Sequence, residues 1–211
     1  SLSSGPVKFR YADPEAEVIL KLMDGTRGVN LSNQPLGITQ TESATIISSG
    51  APNQTGILNL DENTEPGLAE LIVKAESDLA VTLEPGDFIL AGANLTVTGD
   101  GRVDLGRNGI FKSIDATGNR GGLAVGLSKQ TTALKGSAGN DEIITATINP
   151  ALSSIDAGAG LDRLVVSAQA DFATPALRSV YKNFEILANA SGALVDVEPE
   201  KSISGIRSLE V

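Results

Sequence analysis

Gly136-Ser137-Ala138-Gly139-Asn140-Asp141-Glu142-Ile143 and Ala157-Gly158-Ala159-Gly160-Leu161-Asp162-Arg163-Leu164 are two versions of one short pattern. Small residues lead to an aspartate, and a large aliphatic residue follows two positions later. Glycine reaches backbone angles closed to other residues, so each run predicts a tight turn that brings carbonyl oxygens inward. The aspartate adds a carboxylate to that turn. The aliphatic residue drops into a core and fixes the strand that begins there. Carboxylate and carbonyl oxygens together are the ligand set that a hard cation such as Ca²⁺ prefers. A plainer reading stands beside this one: Gly-rich β-turns of this kind are common without any ion.

Outward from these turns the chain is a train of short alternating segments separated by Gly, Asp and Asn. Leu79–Leu83, Leu95–Thr98, Leu123–Leu127, Leu164–Val166 and Leu194–Val197 all fit, and each is too short to be a stable strand alone. Such strands become stable when stacked in register as the rungs of a parallel solenoid. Internal echoes support stacking. Ser113-Ile114-Asp115-Ala116 recurs as Ser154-Ile155-Asp156-Ala157, an offset of 41 residues, or two turns of a coil near 20. Val81–Pro85 is more loosely echoed by Val195–Pro199. One helical turn is expected at Thr174–Tyr181, where Thr174 caps and Pro175 takes the first position.

The earlier part of the chain reads differently. Val7, Phe9 and Tyr11 alternate with other residues, and Val18–Met23 runs into an Asp24-Gly25 turn, which favours strands. A helix starting at Asp13 with Pro14 is the rival. Residues Ser48–Pro66 are rich in Ser, Gly, Pro, Asn and Asp, which places a boundary near residue 62. The expected class is all-β: a small β-rich domain over 1–62, then a parallel β-solenoid, β-roll-like, over 63–211.

Composition restricts the function. Hydrophobic residues make up 41% but aromatics only 3%, so the core must be aliphatic and suits thin repeating layers. With 16 Lys+Arg against 26 Asp+Glu the net charge is −10, which argues against a nucleic-acid partner. The absence of Cys and His removes disulfides, thiolate metal sites and the commonest general base. No apolar run approaches the roughly 20 residues of a membrane-spanning helix. The chain shows no leader and no recognisable ending, and reads as a fragment or a processed chain.

Both Gly–Asp stretches resemble the RTX nonapeptide G-G-x-G-x-D-x-U-x, with U a large aliphatic residue. Ser137 replaces the second Gly in one copy and Ala157 the first Gly in the other. Ideal paired nonapeptides would set the aspartates about 18 apart. Here they are 21 apart, so the extra residues must bulge within Thr147–Ser154. If the turns stack, one Ca²⁺ would sit between them, with Asp141, Asp162 and carbonyls near Gly136, Gly139, Gly158 and Gly160 as ligands. Asp156 is a weaker candidate. The run Ser113–Gly118, the Gly-Gly-Leu-x-Val strand, the two Gly–Asp turns and then Asn183-Phe184-Glu185-x-Leu187 look like the repeat region of RTX-type surface-layer proteins of Gram-negative bacteria. The resemblance covers about residues 110 to 211. It implies type I export, calcium-dependent folding outside the cell and assembly into a lattice at the bacterial surface.

The leading expectation is therefore a structural, extracellular protein and not an enzyme, with copies of itself as partners and cell-surface polysaccharide as a further one. An RTX adhesin binding glycan or a host surface is the alternative, although so few aromatics are a poor platform for sugars. A β-helix polysaccharide lyase or epimerase is the third reading. It would need a base converging on the acids, and no such constellation stands out.

Overall fold

The computed structural model describes residues 7–9, 18–33, 43–59, 69–83, 92–107, 111–190, 203 and 205–210. Its strands alternate between two parallel sheets, so that each coil of chain lays one strand in each. The eight-stranded sheet is built from β2 (Val18–Met23), β4 (Ser43–Ser49), β6 (Glu70–Ala75), β8 (Asn94–Gly99), β10 (Ser113–Asn119), β12 (Ala133–Lys135), β14 (Ser154–Asp156) and β16 (Tyr181–Lys182), stacked in that order. The ten-stranded sheet is built from β1 (Val7–Phe9), β3 (Arg27–Asn33), β5 (Asn53–Asn59), β7 (Leu79–Leu83), β9 (Val103–Asp104), β11 (Leu123–Gly126), β13 (Glu142–Ile144), β15 (Arg163–Val166), β17 (Ile186–Asn189) and β18 (Ser208–Glu210). This is the expected all-β, parallel β-solenoid.

Register confirms the repeat seen in the sequence. Ser113 faces Ala133 and Ala133 faces Ser154, steps of 20 and 21 residues, so the 41-residue echo spans two coils. The extra residues between the Gly–Asp turns form a turn in which Asn149 O accepts from Leu152 N at 3.1 Å and Asn149 Oδ1 accepts from Ala151 N at 3.0 Å. A longer detour separates β14 from β16, where Ile155 faces Tyr181, a step of 26. It holds a 3-10 turn at Gln169–Phe172 and the short helix α1 (Pro175–Arg178), capped by the Thr174 side chain as expected.

Strand pairing is continuous across residue 62. Ser43 faces Glu70 in one sheet and Asn53 faces Leu79 in the other, so the strands of 7–59 belong to the same two sheets as those that follow. No separate sheet divides 1–62 from 63–211 among the described residues. The early coils are longer, with Val18 facing Ala44 and Ser43 facing Glu70, steps of 26 and 27. Residues 18–23 are strand, while Tyr11, the rival helix start at Asp13-Pro14, the Leu194–Val197 segment and the echo at 195–199 lie outside the described residues. Among the described residues no helix is long and apolar enough to cross a membrane.

The core is a pair of aliphatic columns facing each other between the sheets. Leu71, Leu95, Ile114, Leu134 and Ile155 stack on one side, and Val125, Ile143, Leu164 and Leu187 on the other, all buried. Each such side chain contributes about 1.5–3 kcal/mol by leaving water. On the outer face of the eight-stranded sheet, Asp115, Lys135, Asp156 and Lys182 follow one another in register with alternating sign. A slip by one coil would set like charges opposite, so this ladder helps to specify register. Ile155 is 0% exposed, so Ile155→Ala is expected to cost about 2–5 kcal/mol in urea denaturation. Leu152, 68% exposed on the intervening turn, should tolerate the same change within about 0.5 kcal/mol.

Candidate functional site

The two Gly–Asp turns lie one above the other. Glu142 faces Arg163 in the ladder, which sets Asp141 against Asp162 at the corner leading into the ten-stranded sheet. The glycines are required by the closeness of that contact. A Cβ at Gly136 would collide with the carbonyl oxygen of Ala157, and Gly158 adopts φ +92°, which favours glycine. Gly160 sits on the Gly139 carbonyl in the same way. Asp156 stands apart on the eight-stranded sheet, its Oδ1 accepting from Gly158 N at 3.0 Å and Asn183 Nδ2 at 2.6 Å. The structure thus brings together Gly136, Gly139, Asp141, Gly158, Gly160 and Asp162, with Asp156 at the margin.

At this corner the hydrogen bonding changes character along the stack. In the earlier coils the amide at this position donates to a backbone carbonyl of the next coil: Asn53 N to Asp78 O, Leu79 N to Arg102 O and Val103 N to Gly122 O, at 2.8, 2.8 and 2.9 Å. From β11 onward a side-chain carboxylate takes over. Leu123 N donates to Asp141 Oδ1 at 2.6 Å, Asp141 N to Asp162 Oδ1 at 2.7 Å, and Asp162 N to Glu185 Oε2 at 2.9 Å. Four consecutive coils are therefore tied by three acidic side chains. The displaced carbonyl of Asn140 accepts from Arg102 Nη1 instead, at 2.8 Å.

The two aspartates are satisfied to different degrees. Asp141 accepts from Leu123 N and Ser137 Oγ on Oδ1, at 2.6 Å each, and from Ser137 N on Oδ2, at 2.7 Å. Asp162 is fully buried, and its Oδ2 has no hydrogen-bond partner. Burial pushes the Asp141 carboxyl above its usual range against the pull of its hydrogen bonds. Burial likewise pushes Asp162 up to about 7, helped by the charges of Asp141, Glu185 and Asp156. Asn119, buried at an earlier corner, shows the neutral solution: Nδ2 donates to the Gly99 and Gly101 carbonyls and Oδ1 accepts from Gly122 N. An asparagine carries both donors and acceptors, whereas an ionised aspartate only accepts.

Among the described residues no three acidic side chains converge closely enough to make a metal centre by themselves. The residues that could hold a cation here are Asp162, whose Oδ2 is orphaned, and Glu185 beside it; a hard cation such as Ca²⁺ would need further oxygens to reach its usual 6–8. Glu185 belongs to the pattern read from the sequence but was not counted there among the ligands. It lies 23 residues after Asp162, one coil on, and that count is the signal for it. Another buried carboxylate, Asp171 in the long detour, is filled by the hydroxyls of Thr145, Thr147 and Ser167 at 3.0, 2.6 and 2.9 Å. Nothing in the local pattern around Asp171 marked it in advance, because two of its three partners, Thr145 and Thr147, come from the neighbouring coil.

Fold and site define a parallel, two-sheet β-solenoid with a stack of acidic turns along one corner. No family model, curated protein or solved structure matches the chain.

A raised carboxyl pKa means that the folded state holds its proton more tightly than the unfolded chain does. Its destabilising effect is absent below the unfolded value near 4, grows as pH rises to the folded value and is constant above it. For Asp162 that window runs up to about 7. Without divalent cations, the protein is expected to be more stable at pH 5 than at pH 8 by about 2 kcal/mol from this group. Asp162→Asn should flatten that part of the profile in denaturant titrations across the range.

Proposed function

We propose that this chain is a structural module of the bacterial cell surface, a β-solenoid completed by calcium that assembles with copies of itself into a surface layer. The observation that carries the reading is the in-register stack of the Gly136–Asp141 and Ala157–Asp162 turns, which buries two carboxylates on adjacent coils. Bound calcium would supply positive charge and oxygen coordination at that corner. In a calcium-poor cytosol, repulsion between the stacked acids disfavours the closed coil and keeps the chain competent for export. Extracellular modules bind with constants of about 10⁻⁴ to 10⁻³ M. At ten times that constant each site contributes about 1.4 kcal/mol, which becomes large when repeated over a lattice.

Self-assembly is supported by the way the stack ends. Among the described residues β2 pairs only with β4, β16 only with β14 and β18 only with β17. An edge of a parallel sheet is a template for a further strand, and a head-to-tail contact between such edges propagates. The acidic side chains at the corner serve as hydrogen-bond acceptors for the backbone, a structural duty, which fits a scaffold.

The purified chain, imaged by electron microscopy, should form ordered sheets at millimolar calcium and none in chelator, with a melting temperature raised by the ion. A chain that stays monomeric and melts identically in both would overturn the proposal. Specific binding on a glycan array by such a monomer would establish the adhesin reading in its place.

A further inference from the structure

The second position of the Gly–Asp pattern is Ser137 in the first turn and Gly158 in the next. That difference decides how each aspartate is satisfied. Ser137 gives Asp141 both its amide and its hydroxyl, at 2.7 and 2.6 Å. Gly158 has no hydroxyl to give, and its amide goes to Asp156 Oδ1 at 3.0 Å. Asp162 is left with one donor, the Asp141 amide, on Oδ1 and nothing on Oδ2. A buried carboxylate oxygen without a donor is costly, and a proton or a cation must meet it.

Resting on the calcium reading above, we propose that the ion is held one coil further along than the nonapeptide spacing implies. Asp162 and Glu185 are its carboxylate ligands, and Ser137 closes the preceding turn in the ion's place. Glu185 is brought to Asp162 by the ladder itself, since its Oε2 accepts the Asp162 amide at 2.9 Å. It is only partly buried, beside a fully buried partner. Two carboxylates supply up to four oxygens. Backbone carbonyls of the 157–161 turn and water complete a shell of the size calcium takes, whereas magnesium dehydrates reluctantly and demands a stricter octahedron. The carbonyl of Leu161 is available for this, because the Asp141 amide that register would direct to it goes to the Asp162 side chain. Asp156 is held by Gly158 and Asn183 and acts as a positioning charge at the rim.

Calcium titration of the full chain, followed by calorimetry and by terbium luminescence with calcium competition, tests this. Far-UV circular dichroism of each variant checks its fold. Glu185→Gln keeps an acceptor for the Asp162 amide, so the fold should stand while calcium affinity falls by at least about tenfold. Asp162→Asn should do the same, whereas Asp141→Asn, which sets an NH2 against a backbone donor and so lowers stability, should keep most of the wild-type calcium affinity. Ser137→Gly, which removes the hydroxyl that fills Asp141, should add a second, weaker binding event. If Asp141→Asn abolishes binding and Glu185→Gln leaves it unchanged, the ion sits between the two aspartates and the assignment is overturned. If the wild-type chain binds no calcium at millimolar concentration, the calcium reading itself fails, a result distinct from a relocated site.

Discussion

Every coil of this molecule rests on the next through parallel backbone hydrogen bonds, and the corners where the chain changes sheet are the places where that contact is tightest. A side chain on Gly136 would strike the Ala157 carbonyl, and one on Gly160 the Gly139 carbonyl. The corner is therefore set by backbone packed against backbone. The aliphatic columns, the nearly constant coil of 20 and 21 residues through β10, β12 and β14, and the short strands follow from it. Side chains of similar size stack at the regular spacing of parallel strands, and large rings would have to be accommodated in every layer. Three aromatic side chains, Phe172, Tyr181 and Phe184, gather where the regular coil is interrupted by the detour after β15.

The same contact explains why acids are buried at all. Each corner amide needs an acceptor, and for Leu123, Asp141 and Asp162 that acceptor is a carboxylate of the next coil and not a carbonyl. Three acidic side chains on successive coils give strong, charge-assisted hydrogen bonds, and they also concentrate negative charge. Ser137 offsets part of the penalty at Asp141, and Asp171 accepts from three hydroxyls. Asp162 has no such help and carries the most strongly raised carboxyl pKa of the described residues. The stability of this corner is thereby coupled to whatever neutralises one oxygen atom. A solenoid transmits such a local gain to its neighbours, because each coil is stabilised by the coils on either side.

The sequence by itself determined the class of fold. Small residues before Asp141 and Asp162, aliphatic residues two positions after them and the echo of Ser113–Ala116 at Ser154–Ala157 are local or strictly periodic signals. Stacking in register on copies of themselves gives strands so short a core. The pattern also led to residues that lie together: six of the seven named from it meet at one corner, and Asp156 lies at its edge. The division near residue 62 was suggested by a Gly- and Pro-rich stretch. The early coils continue the same sheets, and their steps of 26 and 27 residues hid the kinship with the shorter coils that follow.

Only the tertiary structure decided which atoms are left without partners. Asp141 and Asp162 stand in nearly equivalent patterns, yet one is filled and the other is not, because a hydroxyl at Ser137 has no counterpart at Gly158. Glu185 likewise reaches the corner through the length of the coil between it and Asp162, 23 residues of chain whose only local meaning is a strand and a detour. A sequence motif fixes the residues of one turn, since those are set by backbone angles within a few positions. The satisfaction of a buried carboxylate depends on donors contributed by the coils above and below, and that is known only when the coils are stacked.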